Sequence, residues 1–285
     1  MIKDLFKTDK FRYSFEVFPP KKDADFDSAF ETLNALSALN PDFISVTYGA
    51  GGSKSKKTLE IASYIQNTLH IDALAHFTCV GNKREDILSV VEQMKENNIT
   101  QVLALRGDRP KDMTDEQYNS REFAHASDLI TFLKAETDLQ CAGACYPEKH
   151  YECFSKETDL LNLKLKQDCG ADFFISQLFF DNDYYYDFVE RAERKGITVP
   201  ICAGIMPVTS ATQLGTTVSL SGSSIPKAFS DLIATYGDNP EDMRKAGIDY
   251  AIRQILDLKA NGVNDIHLYT MNKPKMAAEI VNAIR

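Results

Sequence analysis

Gln101-Val-Leu-Ala-Leu-Arg-Gly-Asp-Arg-Pro110 begins as a short apolar run and ends in charge. A continuous apolar run bounded by polar residues is the pattern of a strand buried on both faces of a parallel sheet. Gly107 breaks the run and sends Arg106, Asp108 and Arg109 into a polar loop. At an isolated strand end the plainer reading is that Arg106 and Asp108 pair with each other. Other strands of this chain also end in polar groups, and that repetition favours a shared site.

Working outward, strand-like runs alternate with helix-like ones. Tyr13–Phe18 is extended and stopped by Pro19 and Pro20; residues 25–39 follow with Phe26, Phe30, Leu33 and Leu36 at helical spacing. Phe43–Tyr48 is a second strand, closed by Gly49 and followed by a helix over 58–69. Ala73–Cys79 is a third, and Arg84–Asn97 places Ile87, Val90, Val91 and Met94 on one helical face. After the opening stretch a polar loop runs to about Phe123 before another helix. Cys141–Tyr146, Phe173–Phe180, Pro200–Met206 and Ile266–Met271 read as the remaining strands. Helices are expected over 159–167, 184–195 and 275–284, and over 210–260 with breaks at SLSGSS and YGDNPED. Eight such units without a low-complexity linker predict an α/β fold, a closed (β/α)8 TIM barrel forming a single domain over 1–285. An open doubly wound sheet competes, but it usually carries GxGxxG after its first strand, and here that strand ends in Pro-Pro.

Composition narrows the partners. With 32 basic and 41 acidic residues the net charge is −9, which argues against broad nucleic-acid or membrane-surface binding. A local basic pocket for a phosphorylated cofactor is compatible with it. MIKDLFKTDK has no apolar signal core and no stretch approaches a membrane span, so a cytoplasmic protein is expected. The six cysteines lack CxxC spacing and read as reduced thiols.

Barrel active sites lie at the C-terminal strand ends. Glu16, Thr47, Tyr48, His76, Arg106, Asp108, Tyr146, His150, Gln177 and Tyr269 fall at or near those ends. Taken singly, Glu16 reads as a structural carboxylate and His76 as a satisfied core histidine. Together they ring one face, as a site for a large polar ligand would require. There is no HxH, HExxH, GxSxG or GxxxxGK[ST] pattern, so no metal site is expected, and acyl transfer and nucleoside-triphosphate chemistry are disfavoured. What remains is chemistry by a bound cofactor, with one or two carboxylates handling protons.

SFEVFPP, FISVTYGAGG, HFTC, LALRGD, YPEKH, DLLNLK, ISQLFFD, GIMPV and HLYTMN occur in this order across almost the whole chain. Together they closely resemble the methylenetetrahydrofolate reductase family in its short bacterial form, without the C-terminal regulatory domain of eukaryotic members. The resemblance implies FAD-dependent reduction of 5,10-methylenetetrahydrofolate to 5-methyltetrahydrofolate by NADH or NADPH. It further implies two half-reactions that use the same flavin face in turn, and a homo-oligomer. It makes Glu16 the general acid and Asp108 the carboxylate that stabilises the substrate iminium. It assigns FAD to Thr47, Tyr48, Ala50, His76, Arg106, Gly107, Asp108, Ala126, Tyr146, His150, Asp159, Asn162 and Lys166. Glu16, Asp108, Gln177, Gln213 and Lys273 fall to the folate, with Thr47 and Gln177 also meeting the nucleotide. Two positions depart from the pattern: Leu165 stands where relatives carry an arginine against the FAD phosphates, and Lys273 where they carry one beside the folate. Because Glu16 lies within the apolar run Phe15–Phe18, desolvation is expected to favour its protonated form. Another flavin reductase on the same barrel, or a non-catalytic folate- or flavin-binding protein, are the alternative readings.

Overall fold

Each apolar run becomes a strand, and each strand pairs in parallel with the next. They are β1 (Arg12–Val17), β2 (Ile44–Val46), β3 (Ala73–Thr78), β4 (Gln101–Leu105), β5 (Gln140–Cys145), β6 (Phe173–Ser176), β7 (Ile201–Ile205) and β8 (Asp265–Tyr269). β8 pairs with β1, so the sheet closes and the expected (β/α)8 TIM barrel is the fold. The computed structural model describes residues 1–20, 22–48 and 53–285, with the side chains of 23, 53–55 and 216–220 outside that description.

Alternation along the strands sorts the side chains. Phe15, Val17, Ile44, Val46, Ala75 and Phe77 point outward into the layer beneath the helices. Leu74, Leu103, Ala142, Phe173, Ile175 and Cys202, with Phe43, fill the barrel's interior. The outer ring comprises α2 (Phe26–Ser37), α3 (Ser53–Ser63), α4 (Arg84–Glu96), α6 (Ala126–Glu136), α7 (Lys156–Asp168), α8 (Asn182–Arg194), α11 (Pro240–Ala260) and α12 (Pro274–Ile284). Among the described residues no helix is long and apolar enough to cross a membrane.

Several boundaries differ from the sequence expectation for local reasons. The strand expected over Phe173–Phe180 stops at Ser176. Gln177 Oε1 accepts the N–H of Leu178 at 2.9 Å, and the next two rings leave the sheet for the outer layers, Phe179 against Tyr185 and Phe180 against Phe229. α7 starts before residue 159 because the Ser155 hydroxyl caps the N–H of Thr158. The polar loop after β4 holds a short helix, α5 (Asp115–Asn119), opened by a capping box between Thr114 and Gln117. The stretch 210–260 divides into α9 (Ala211–Ser221), α10 (Lys227–Tyr236) and α11. Gly222, at φ +71°, makes the first break, and Asn239 with Pro240 the second.

The first residues form an element that the sequence did not announce. α1 (Ile2–Leu5) lies under the barrel, where Ile2 is fully buried against the interior layer and its N–H donates to Gln101 Oε1 at 2.6 Å. Phe6 packs on Phe173 with ring centroids 5.1 Å apart. This helix supplies the apolar floor that the interior side chains need. Ile2→Ala is therefore expected to lower the unfolding free energy by about 2–5 kcal/mol in urea titrations. An unchanged midpoint would show that α1 does not seal the barrel.

Candidate active site

The site starts from parity on β1. Ser14 and Glu16 are two apart, so both point into the barrel, above the apolar layer. The register sets Glu16 beside Ser45 of β2 and Tyr269 of β8, and Ser14 beside His267. A polar layer results. The Ser14 hydroxyl lies 2.7 Å from His267 Nδ1, and the Ser45 hydroxyl 3.1 Å from His267 Nε2. Ser45 Oγ also donates to Glu16 Oε2 at 3.5 Å. His76 and His267 place their Nε2 atoms 3.3 and 3.7 Å from the same oxygen. Glu16 is 8% exposed and His267 0%.

Burial alone pushes the Glu16 carboxyl up, but the imidazoles of His267 and His76 outweigh it and hold the group at about 2. The expectation that desolvation keeps Glu16 protonated is thus corrected: in the open site it is an anion between two rings. At 3.7 Å the His267 contact is electrostatic rather than a hydrogen bond. Burial holds the pKa of His267 itself below the ordinary histidine value.

The opening stretch builds the neighbouring wall. Gly107 has φ +84° and no room for a side chain, since a Cβ would lie 2.8 Å from Val80 and 2.9 Å from Thr78. Arg106 does not pair with Asp108. Its guanidinium forks onto Glu152, with Nη2 donating to Oε1 at 3.1 Å, while Nε donates to the Gly107 carbonyl. Arg109 turns away to Asp115 at 2.7 Å. Asp108 is left exposed. The Arg106 fork holds the Glu152 carboxyl down at about 2, and Tyr151 donates to the same carboxylate at 3.0 Å. A cavity of about 960 Å³ opens over this wall, lined by Thr47, Tyr48, His76, Arg106, Gly107, Asp108, Tyr146 and His150 among others.

α7 stands behind Tyr146 and His150. Asp159 Oδ2 accepts the His150 N–H at 3.2 Å, and Lys166 Nζ donates to the Ala144 carbonyl at 2.7 Å, 5.8 Å from the Tyr146 ring. Burial pulls the Lys166 ammonium below its usual range and raises the Asp159 carboxyl. Asn162 is exposed on the same helix, as is Leu165. Ala126 is buried at the start of α6 and does not line the cavity, and Ala50 lies outside the described residues. At the end of β7 and the head of α12, Lys273 Nζ donates to Thr209 Oγ1 at 2.9 Å, and Gln213 Oε1 accepts the Thr209 N–H at 3.1 Å. Gln177 is half-buried just past β6.

Sequence reasoning missed Ser14, Ser45, His267 and Glu152. The first three were signalled by parity, because Ser14 shares a face with Glu16, Ser45 with Thr47 and His267 with Tyr269. Glu152 carried no such signal, since only folding brings its loop to Arg106.

The donor set suits a flavin dinucleotide. His76 Nε2 is buried without a hydrogen-bond partner, its approach to Glu16 falling outside hydrogen-bonding geometry. Arg106 brings a guanidinium to the cavity wall, and the cavity is wide enough for a ring system. Among the described residues, no three His, Cys, Asp or Glu side chains gather as a metal site.

The depressed Glu16 pKa has a definite sign in stability. A carboxyl held at about 2 when folded, against 4.5 ordinarily, contributes stability that is full above pH 4.5 and lost as pH falls towards 2. The stability gap between wild type and Glu16→Gln is therefore expected to narrow across that window in urea titrations at stepped pH. A gap that does not change with pH would sink the assignment of Glu16 as a buried anion.

Comparison with known proteins agrees with this architecture. The model of the family described as methylenetetrahydrofolate reductase matches residues 1–285. The 5,10-methylenetetrahydrofolate reductase of Escherichia coli (strain K12) is 33% identical over 271 residues, covering 95% of this chain and 90% of that one. Methylenetetrahydrofolate reductase (NADH) 1 of Arabidopsis thaliana is 33% identical over 293 residues, 98% of this chain but 49% of its own length. Among solved structures, an uncharacterised Clostridium thermocellum protein that binds two copies of 5-methyl-5,6,7,8-tetrahydrofolic acid superposes with TM-score 0.67 at 16% identity, covering 99% and 97% of the two chains, which shows the shared fold. With a family match across its whole length and relatives at this identity, the chain belongs to the methylenetetrahydrofolate reductases, a family of oxidoreductases.

Proposed function

We propose that this chain reduces 5,10-methylenetetrahydrofolate to 5-methyltetrahydrofolate with FAD as cofactor and NADH or NADPH as reductant. The observation that carries the reading is a buried carboxylate, Glu16, beside the cavity whose wall includes Arg106, Tyr146 and His150. FAD, when bound, supplies hydride exchange between the nucleotide and the folate, each meeting the same face in turn.

The residues divide the work. Arg106 and Lys166 offer cationic donors to the cofactor, Asp159 and Asn162 hydrogen-bonding groups, and Thr47, Tyr48, His76, Gly107, Tyr146 and His150 its walls. Ala50 and Ala126 belong to the same assignment. Asp108 offers its carboxylate to the iminium that the folate carries at the pterin N5. Gln177, Gln213 and Lys273 hold the folate, with Thr47 and Gln177 also meeting the nucleotide. Lys273 keeps a positive charge there but gives up the planar fork of an arginine.

Glu16 delivers a proton to N10 as the imidazolidine ring opens. Ionised in the open site, it must first be loaded. The proton it delivers is one taken up from solvent before the folate covers the mouth.

Anaerobic addition of NADH or NADPH to the flavin-loaded protein, followed by methylenetetrahydrofolate, tests the reading in one cuvette. The flavin absorbance is expected to bleach with the nucleotide and return with the folate. A flavin that bleaches and is reoxidised only by other acceptors would overturn the folate assignment. In Glu16→Gln the bleaching rate is expected to stay near wild type, while reoxidation by the folate slows by ~10²–10⁴-fold, the usual worth of a positioned acid. Lys166→Ala is expected to weaken FAD binding in equilibrium dialysis while leaving the circular dichroism melt cooperative; unchanged affinity would remove Lys166 from the cofactor site.

A further inference from the structure

Glu148, the acid of the YPEKH motif, has no task in the chemistry above. Its two carboxylate oxygens both accept the backbone N–H of Ser224, at 3.0 and 3.1 Å, across 76 residues of sequence. Ser224 belongs to the serine-rich turn between α9 and α10. That turn is well buried at Ser221 and Ser223, and Ser223 Oγ donates to the Leu178 carbonyl just beyond β6 at 2.8 Å. At Gly222 a Cβ would lie 3.1 Å from the Cβ of Tyr151, so the turn also packs directly on the loop between β5 and α7.

That loop has a second attachment. Tyr151 donates to Glu152, and Glu152 holds Arg106 at the cavity wall. Its backbone is constrained as well: Lys149 has φ +114°, which side-chain-bearing residues rarely adopt, and its ammonium donates to the Cys153 carbonyl at 2.9 Å. One short loop therefore reaches the Arg106 wall at one end and the α9–α10 turn at the other. α9 carries Gln213, which sits with Thr209 and Lys273 on the far side of the mouth.

We propose that Glu148 is a positioning residue for the second substrate. Its carboxylate tethers the α9–α10 turn, and so fixes α9 with Gln213, relative to the cofactor wall. A carboxylate suits the task because a charge-assisted bond to a backbone N–H is about twice as strong as a neutral one. Without it the Ser224 N–H loses its acceptor in a half-buried turn. The tether itself stands on geometry alone; its effect on substrate rests on the proposed folate reading.

Hydrogen–deuterium exchange on the flavin-loaded protein, resolved over peptides spanning residues 219–227, reads the tether. Binding of 5-methyltetrahydrofolate to the anaerobically reduced, flavin-loaded protein, whose flavin can accept no further hydride, reads its consequence. Glu148→Ala is expected to speed exchange in that segment and to raise the folate dissociation constant by about 5- to 150-fold, the usual range for coupled sites, with flavin content unchanged. Glu148→Gln keeps one acceptor oxygen and is expected to fall between wild type and Glu148→Ala in both readouts; it serves alone if the alanine variant does not fold. Unchanged exchange would overturn the tether. Faster exchange with an unchanged dissociation constant would overturn the positioning role. A wild type that binds flavin but no folate would instead overturn the functional reading, and exchange alone would then decide the tether.

Discussion

Glu16 lies at 8% exposure between two imidazoles and a serine hydroxyl, and the upper half of the barrel is arranged around satisfying that carboxylate. An unpaired ionised carboxylate at such depth costs several kcal/mol even after relaxation. Here the cost is met by residues from three other strands: Ser45 from β2, His76 from β3 and His267 from β8. His267 is fixed from its other edge by Ser14, so neither ring nitrogen of this buried histidine lacks a partner. Thr270 adds a bond from its hydroxyl to the Glu16 carbonyl at 2.7 Å, tying the end of β8 to β1 where the barrel closes.

The barrel can carry this polar layer because the layer below it is dry. Leu74, Leu103, Ala142, Phe173, Ile175 and Cys202 fill the lower interior, and α1 closes the floor with Ile2 and Phe6. An apolar layer and a polar layer are thus stacked along the barrel axis, with the polar one at the C-terminal strand ends. The mouth is also where the loops carry charge. Arg106 satisfies its guanidinium with Glu152, which leaves Asp108 exposed at the cavity. An Arg106–Asp108 pair would have occupied the oxygens that the proposed chemistry aims at the folate.

Among the described residues, side-chain attachments join the two sides of the mouth. On one side, α7 supports Tyr146 and His150 through Asp159 and Lys166. On the other, Gln213 and Lys273 meet at Thr209. The loop between β5 and α7 spans them, through Glu152 to Arg106 and through Glu148 to Ser224. The bridge fixes the two sides of the mouth relative to one another.

The sequence by itself determined the class of fold and part of the cavity wall, Thr47, Tyr48, His76, Arg106 to Asp108, Tyr146 and His150. Apolar runs such as Gln101–Leu105, each followed by a helical period, are local signals, and the motif order around LRGD and YPEKH carried the family. Local signals also overreached where tertiary packing competed: Leu178, Phe179 and Phe180 read as strand but pack beyond β6 against α8 and α10. Tertiary structure alone decided which charges meet. Arg106 chose Glu152 over its near neighbour Asp108 because the left-handed turn at Gly107 separates the adjacent side chains while folding delivers the distant one. The protonation state of Glu16 was decided the same way. Its flanking phenylalanines predicted a neutral acid, but on a strand alternate residues face opposite sides, so Phe15 points outward and the carboxylate meets histidines from β3 and β8 that only barrel closure brings near.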